Sequence, residues 1–582
     1  MSPSRIVTSS AAPDPTAIPD ESTTHENPWY NQDFDGFRIS EQPLFQRRPI
    51  RLVCVGAGAT GLQIAYKAER LLKDVTLQIY EKNSDVGGTW LENRYPGCTC
   101  DIPSHSYQFT WHRNPNWSSF YSGSEEIWRY FKEVATTYDL EKYVKFNTAV
   151  EKAVWQEEKG VWKLTLVSSD GSRFEDTSEI LVNGTGVLNA WKYPDIPGTQ
   201  DFKGKLMHSA RWDRGYDLKG KTVAVIGGGS SAVQIVPQIQ PIVGKLIPFL
   251  RSPVWVTTGF GAKFAGPGGT NFEYSPSQLK EFNTDPSAYD KYCRELEGEL
   301  NKRFTMMHNK SQDQKNSRNL VADIMSKQLN NDTTLTSKMI PDFALGCRRM
   351  TPGSGYLQSL TKENVSVITS SVARFTEKGV IDETGQEHEV DVVICATGFD
   401  VSFTPHFEVI GREGKSLKEE FGELPKTYLA VTAANFPNLF LLLGSNGPVS
   451  HGSVLPIFDW HTRYMFSMIE KLQTENIKCF TPKSVCVEEF FNYTHELMKR
   501  LAWSASCSSW FKMGKKDGPV TAVWAGSRLH YFEVMKNVRW EDYDITYWSR
   551  NRFQFLGNGY TQCELDPEED PVWYFDDPFV KV

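Results

Sequence analysis

The chain has 582 residues, 40% hydrophobic, 23% charged and 13% aromatic, which is enough for about three domains with sizeable cores. Its formal charge of −8 argues against a nucleic-acid partner, because phosphate binding needs concentrated Lys and Arg. With no apolar run long enough to cross a bilayer and no apolar leader, a cytoplasmic protein is expected, and its ten sparse Cys are expected to be reduced thiols.

Residues 1–45 are rich in Ser, Pro, Thr and acidic groups and read as a flexible arm, docked in part through Trp29, Tyr30 and Phe34. Order is expected from IRLVCVGAGATGLQIAYKAERLL, starting at Ile50, where an apolar run passes through a Gly-rich turn into a helical pattern. Gly56, Gly58 and Gly61 make GxGxxG there. The first Gly allows the tight turn, the second lets backbone approach a pyrophosphate, and the third lets helix and strand pack closely. Glu81 ends the next strand, LQIYE, twenty residues after Gly61, and a carboxylate at that place accepts hydrogen bonds from a ribose diol.

VWKLTLVSS and EDTSEILVNGTG read as further strands. The same grammar restarts at KTVAVIGGGSSAVQIVPQI, with Gly227, Gly229 and Ala232 as the turn and Ser230 and Ser231 opening the helix. Here the next strand ends in Arg251 and Ser252, and an Arg at that position favours a 2′-phosphate. One chain therefore carries two dinucleotide turns with opposite charge at the discriminating position. FAD in the first and NADPH in the second is the economical assignment. A polar, helix-favouring stretch at about 270–340 reads as an insert, and EVDVVICATGF supplies another buried strand. The expected fold class is α/β, with two Rossmann-like domains. The FAD domain takes residues 46–190 and 390–582, and the NADP domain takes 191–389 with its helical insert.

Two longer motifs narrow the reading. GGTWLENRYPGCTCD, Gly87 to Asp101, resembles the GGxWxxxx(F/Y)PGxxxD pattern of type I Baeyer–Villiger monooxygenases. FKGKLMHSARWD is similar to that family's FxGxxxHxxxW(P/D), through Phe202, Gly204, His208, Trp212 and Asp213. The resemblance runs from about residue 45 to the end, and GCRRMTPGSGYL and SWFKMGKKDGPVTAVWAG look most like fungal members.

The resemblance implies NADPH reduction of FAD, formation of a flavin C4a-peroxide from O2, and insertion of one oxygen atom beside a ketone carbonyl to give an ester or lactone. It implies a catalytic Arg in GCRRM, placed at Arg349, with Asp101 beside it to orient the guanidinium. Arg348 falls where the family often has a Lys facing the 2′-phosphate. Thr89, Trp90 and Tyr107 sit where the family contacts FAD, with Asp101 beside them and Val150 as a backbone contact. Trp510 matches the loop Trp that closes over the nicotinamide. The stretch around His208 is implied to link the two domains, with its His tied to domain movement. The partners implied are a small ketone and O2. The sequence names neither the ketone nor an oligomeric state, and a monomer is compatible with it. An N- or S-oxidising flavin monooxygenase is the nearest alternative, though it fits Trp212 and Asp213 poorly. A non-catalytic flavin-binding protein is another. A flavin disulfide reductase would need a CxxC pair, whereas Cys98 and Cys100 form CxC.

Overall fold

The computed structural model describes residues 25–450 and 452–577, so most of the expected N-terminal arm lies outside the described residues. Two parallel sheets organise the rest. In the first, the spatial order is Leu439–Leu441, Ile180–Asn183, Ile50–Val55, Val75–Tyr80, Val144–Lys145, and every neighbouring pair is parallel. IRLVCV is apolar at all but one position because both faces of a parallel sheet are covered, and Leu52, Val53 and Cys54 are wholly buried. Val55 pairs with Tyr80 on one side and Asn183 on the other, so the strand ends lie level. The Gly56 turn therefore leaves at the carboxyl edge, where open α/β sheets bind ligands.

The second sheet runs Lys245–Phe249, Thr222–Ile226, Val392–Cys395, Lys205–His208, again all parallel. These two sheets give the expected α/β architecture of two Rossmann-like units. Val392–Cys395 pairs on both sides within the second sheet, so the chain returns to the first only beyond Cys395, past the expected division at 389/390.

The stretch read as one strand, EDTSEILVNGTG, spans parts of two. Arg173–Ser178 alternates in burial and pairs antiparallel with Val161–Ser168, whereas Ile180–Asn183 is nearly continuously buried in the first sheet. Alternation suits a one-sided antiparallel sheet and continuity suits a covered parallel one, and the chain changes sheets at Glu179.

The polar insert forms four helices, Pro276–Thr284, Pro286–Asn301, Gln312–Gln328 and Thr333–Met339. Each starts where a side chain accepts an orphan backbone N–H: Ser275 (in a capping box with Gln278), Asp285, Ser311 and Asp332. Leu296 and Met325 turn fully into the core.

Two expectations need correction. Trp29 touches Tyr30 and Phe34, but all three are more than half exposed, so they do not dock the arm. The arm is held further on, where the Leu44 N–H donates to the Tyr560 carbonyl and Phe45 stacks on Phe555. The Cys are not all free thiols: Cys347 and Cys507 form a disulfide, with Cα atoms 6.4 Å apart. A pairing across 160 residues leaves no spacing signal in a sequence. The FKGKLMH stretch carries the edge strand of the second sheet, Lys205–His208.

Candidate active site

The GxGxxG turn opens the helix Ala59–Leu71. Gly61 sits directly over the Gly56 carbonyl, where any Cβ would collide, so helix and strand approach as closely as the motif requires. Gly58 faces Gly88 of the second glycine-rich stretch, and a Cβ on Gly88 would come within 3.1 Å of the Gly58 Cα. These bare backbones form the mouth of a cavity of about 490 Å³, whose walls include Gly56, Gly58, Glu81, Thr89, Trp90, Tyr107 and Val150. Glu81 is buried, and its Oε2 accepts the Ala57 N–H and its Oε1 the Asn83 N–H, both at 2.8 Å. Burial raises the Glu81 pKa, with those two N–H groups pulling the other way. Trp90 Nε1 donates to the Tyr107 hydroxyl at 3.0 Å and fixes both rings. A helix N-terminus, a glycine cradle and a carboxylate at the neighbouring strand end fit an FAD.

The sequence reading missed part of this wall. Gly184, Thr185, Trp191, His406 and Phe407 also line it. The NGTG after a buried strand was the available signal for the first two, and a search for strand-end glycines would have found them.

Asp101 lies at the end of the same motif but is not a cavity contact of that kind. Its Oδ2 accepts from Arg349 Nη2 at 2.6 Å and from Nε at 3.1 Å. Each side chain is about a quarter exposed or less, at 25% for Arg349 and 21% for Asp101. Burial works against the guanidinium charge, yet the Asp101 carboxylate outweighs it and the Arg349 pKa is raised. Arg349 also lies over Phe260, with Cζ 5.8 Å from the ring centroid. It forms part of the wall of a separate cavity of about 190 Å³, together with Ile102, Phe260, Met306, Leu345 and Arg528. Tyr107 lines the first cavity, and burial pushes its phenol pKa up while the Arg349 charge pulls it down.

Gly97 of the first motif has φ +78°, and a Cβ there would lie 2.7 Å from the Gln234 carbonyl oxygen. Tyr95 donates to Gln234 Oε1 at 2.8 Å, and Gln234 Nε2 donates to the Thr99 carbonyl at 3.0 Å. Gln234 belongs to Ser230–Ile239, the helix that follows the second glycine turn. The motif thus clamps one dinucleotide unit onto the other.

At the second turn, Gly227 and Gly229 precede that helix, with Ser230 exposed, Ser231 half-buried and Ala232 in the core. Arg251 is exposed, Ser252 half-buried, and Arg348 donates to the Pro253 carbonyl at 3.2 Å. Burial lowers the Arg348 pKa, and the Arg251 charge lowers it further. Two guanidiniums that feel one another here fit an anion such as a 2′-phosphate.

Trp510 heads a short turn, Trp510–Lys512, capped by Ser509 Oγ. Buried Lys512 pins the loop by donating to the Ala505 and Lys516 carbonyls. The Cys347–Cys507 bond joins this loop to the segment carrying Arg348 and Arg349.

His208 ends its strand fully buried, stacked on Trp191 at 4.8 Å, with Nδ1 accepting the Ala210 N–H at 3.1 Å. Burial lowers its pKa to about 4, so the ring is neutral. Phe202 packs on Phe375, Gly204 lies close against the Asp391 carbonyl, Trp212 is half-buried, and Asp213 pairs with Lys205.

Known proteins resemble this chain along most of its length. A family described as NAD(P)-binding Rossmann-like domain matches residues 54–123, and one described as L-lysine 6-monooxygenase/L-ornithine 5-monooxygenase matches residues 109–246. The FAD-binding monooxygenase tazF of Aspergillus terreus is 42% identical over 91% of this chain and 95% of its own. A Baeyer-Villiger monooxygenase of Pseudomonas aeruginosa is 31% identical over 86% of this chain and 92% of its own. Among solved structures, a closed form of cyclohexanone monooxygenase superposes with a TM-score of 0.74 at 25% identity, covering 86% of this chain and 100% of that one. With two such relatives spanning both dinucleotide units, the chain belongs to the Baeyer–Villiger family of FAD-binding monooxygenases.

Proposed function

We propose that this monooxygenase binds FAD at the Gly56 turn and NADPH at the Gly227 turn, and converts a ketone and O2 into an ester or lactone. The observation that carries this reading is the Arg349–Asp101 pair, whose guanidinium lines a cavity next to the proposed flavin site. Bound FAD would accept hydride from NADPH and supply the reduced flavin that activates O2.

The protein's own part is charge and position. Arg349 stays protonated at any working pH, so it can hold negative charge on an oxygen beside the carbonyl without giving up a proton. Asp101 fixes the direction of that guanidinium and leaves Nη1 free of the pair. The side chains Ile102, Met306 and Leu345 add apolar surface to the same wall, and a drier wall would strengthen the interaction.

Arg349→Ala tests this. The variant is expected to bind FAD and be reduced by NADPH at the wild-type rate, while ester formation falls by at least about a hundredfold and hydrogen peroxide is released. Ester formed at the wild-type rate would sink the reading. The match of residues 109–246 to amino-acid N-monooxygenases favours a second reading, heteroatom oxidation. A panel of ketones, sulfides and amines, scored by product mass, separates the two, because heteroatom oxidation does not need the Arg349 cation.

A further inference from the structure

Beyond the cavity that Arg349 lines lies a second one of about 410 Å³, walled in part by Gln108, Phe109, Arg113, Glu297 and Phe532. Asn301 and Arg528 line both. Arg528 is only 3% exposed. Its Nη2 donates to Glu297 Oε1 at 2.5 Å and Asn301 Oδ1 at 2.7 Å, its Nε to Asn301 Oδ1 at 3.2 Å, and its Nη1 to the Ser453 carbonyl at 3.2 Å. One guanidinium thus ties the helix Pro286–Asn301 to the Ser453 loop, across the boundary between the cavities.

The placement is not explained by local stability. Arg528 is the first residue of the helix Arg528–Val534, where a cation opposes the helix dipole. Gly452, at φ +63°, leaves room for it, and a Cβ there would stand 2.9 Å from Nη1. Glu297 Oε2 is buried without a hydrogen-bond partner, so the acceptor side of the pair has capacity in reserve. A swing of the guanidinium along Glu297 would exchange one oxygen for the other without leaving the charge unpaired.

We propose that Arg528, held by Asn301 and Glu297, is a gate between an outer vestibule and the oxygenation cavity, and so selects ketones by length. This rests on the ketone reading above. A small cyclic ketone fits on the Arg349 side with the gate shut. A longer one reaches Arg349 only by displacing the guanidinium and leaving its remote end in the vestibule.

The test compares cyclohexanone with 4-phenylcyclohexanone, which share a reacting ring and differ in length. In Asn301→Ala and Glu297→Gln holoenzymes, the kcat/KM ratio of the long ketone to the short one is expected to rise about tenfold, mainly through KM of the long ketone. FAD content, read from the flavin absorbance, confirms the fold of each variant. A ratio within twofold of wild type in FAD-loaded Asn301→Ala and Glu297→Gln overturns the gate. A wild-type enzyme that reduces its flavin yet makes ester from neither ketone, nor from any ketone of the panel above, overturns the ketone reading instead. The gate is then scored from binding, as the shift of the flavin spectrum on titration with each ketone in wild type and variants, and equal relative affinities would refute it.

Discussion

Arg348 and Arg349 are neighbours in the chain with opposite electrostatic surroundings. Arg349 has a carboxylate to itself in Asp101, while Arg348 has burial and the charge of Arg251 against it. A cation destabilised in this way gains most from an anion brought to it, which is why this pair rather than the glycine turn should set the coenzyme preference. Arg251→Ala is expected to lower the preference for NADPH over NADH by about ten- to a hundredfold, the loss of one charge-assisted contact worth about 1.5–3 kcal/mol. Steady-state kcat/KM for both coenzymes measures it, and an unchanged ratio would remove the 2′-phosphate from this place. Asp101→Asn keeps an acceptor near Arg349 but removes the charge that raises its pKa. Ester formation should fall about tenfold or more while flavin reduction by NADPH persists, measured by stopped-flow absorbance alongside product analysis.

The elements show where sequence reasoning worked and where it stopped. The two strand–turn–helix units were legible because a buried parallel strand, a glycine turn and an amphipathic helix each leave a local pattern, as Ile50–Leu71 and Thr222–Ile239 do. The change of sheet at Glu179 was not legible, since it depends on which distant strand covers each half. Nor was the strand Lys205–His208, whose partner Val392–Cys395 comes nearly two hundred residues later. Arg528, at the start of a distant helix, and Phe260, on a distant loop, both reach the candidate site and carry no spacing signal of their own. The fate of His208 follows from its element: at the end of an edge strand and under Trp191 it cannot be hydrated, and its pKa falls from 6.5 to about 4. His105 and His461, also buried, fall to about 3. A folded-state pKa below the unfolded value means the unfolded chain binds more protons between them. Stability is therefore full above about pH 6.5 and declines as pH falls towards 4. Melting temperature measured from pH 7 to 4 should drop, and His208→Gln should make that drop shallower. A flat profile for wild type would show that these rings take up protons in the fold as readily as in the unfolded chain.

At the scale of the whole molecule, two ties, one of close packing and one covalent, bind what the glycine turns only place side by side. Gly97 lets the first motif press on the helix Ser230–Ile239, and Gly97→Ala should cost at least about 1 kcal/mol through the left-handed φ and the contact with Gln234. The expected readout is a lower melting temperature of the holoenzyme. The second tie is the disulfide, which closes the chain from Cys347 to Cys507 around the whole of Val392–Cys395 and Leu439–Leu441, strands of both sheets. Cys507→Ser should lower unfolding free energy by about 2–4 kcal/mol, read as a shift of the urea midpoint. The bond also turns a stretch of linear polymer into a ring. A protease cut anywhere between residues 348 and 506 would leave one molecule of undiminished mass until a thiol reductant is added, and only then would two pieces part on a denaturing gel.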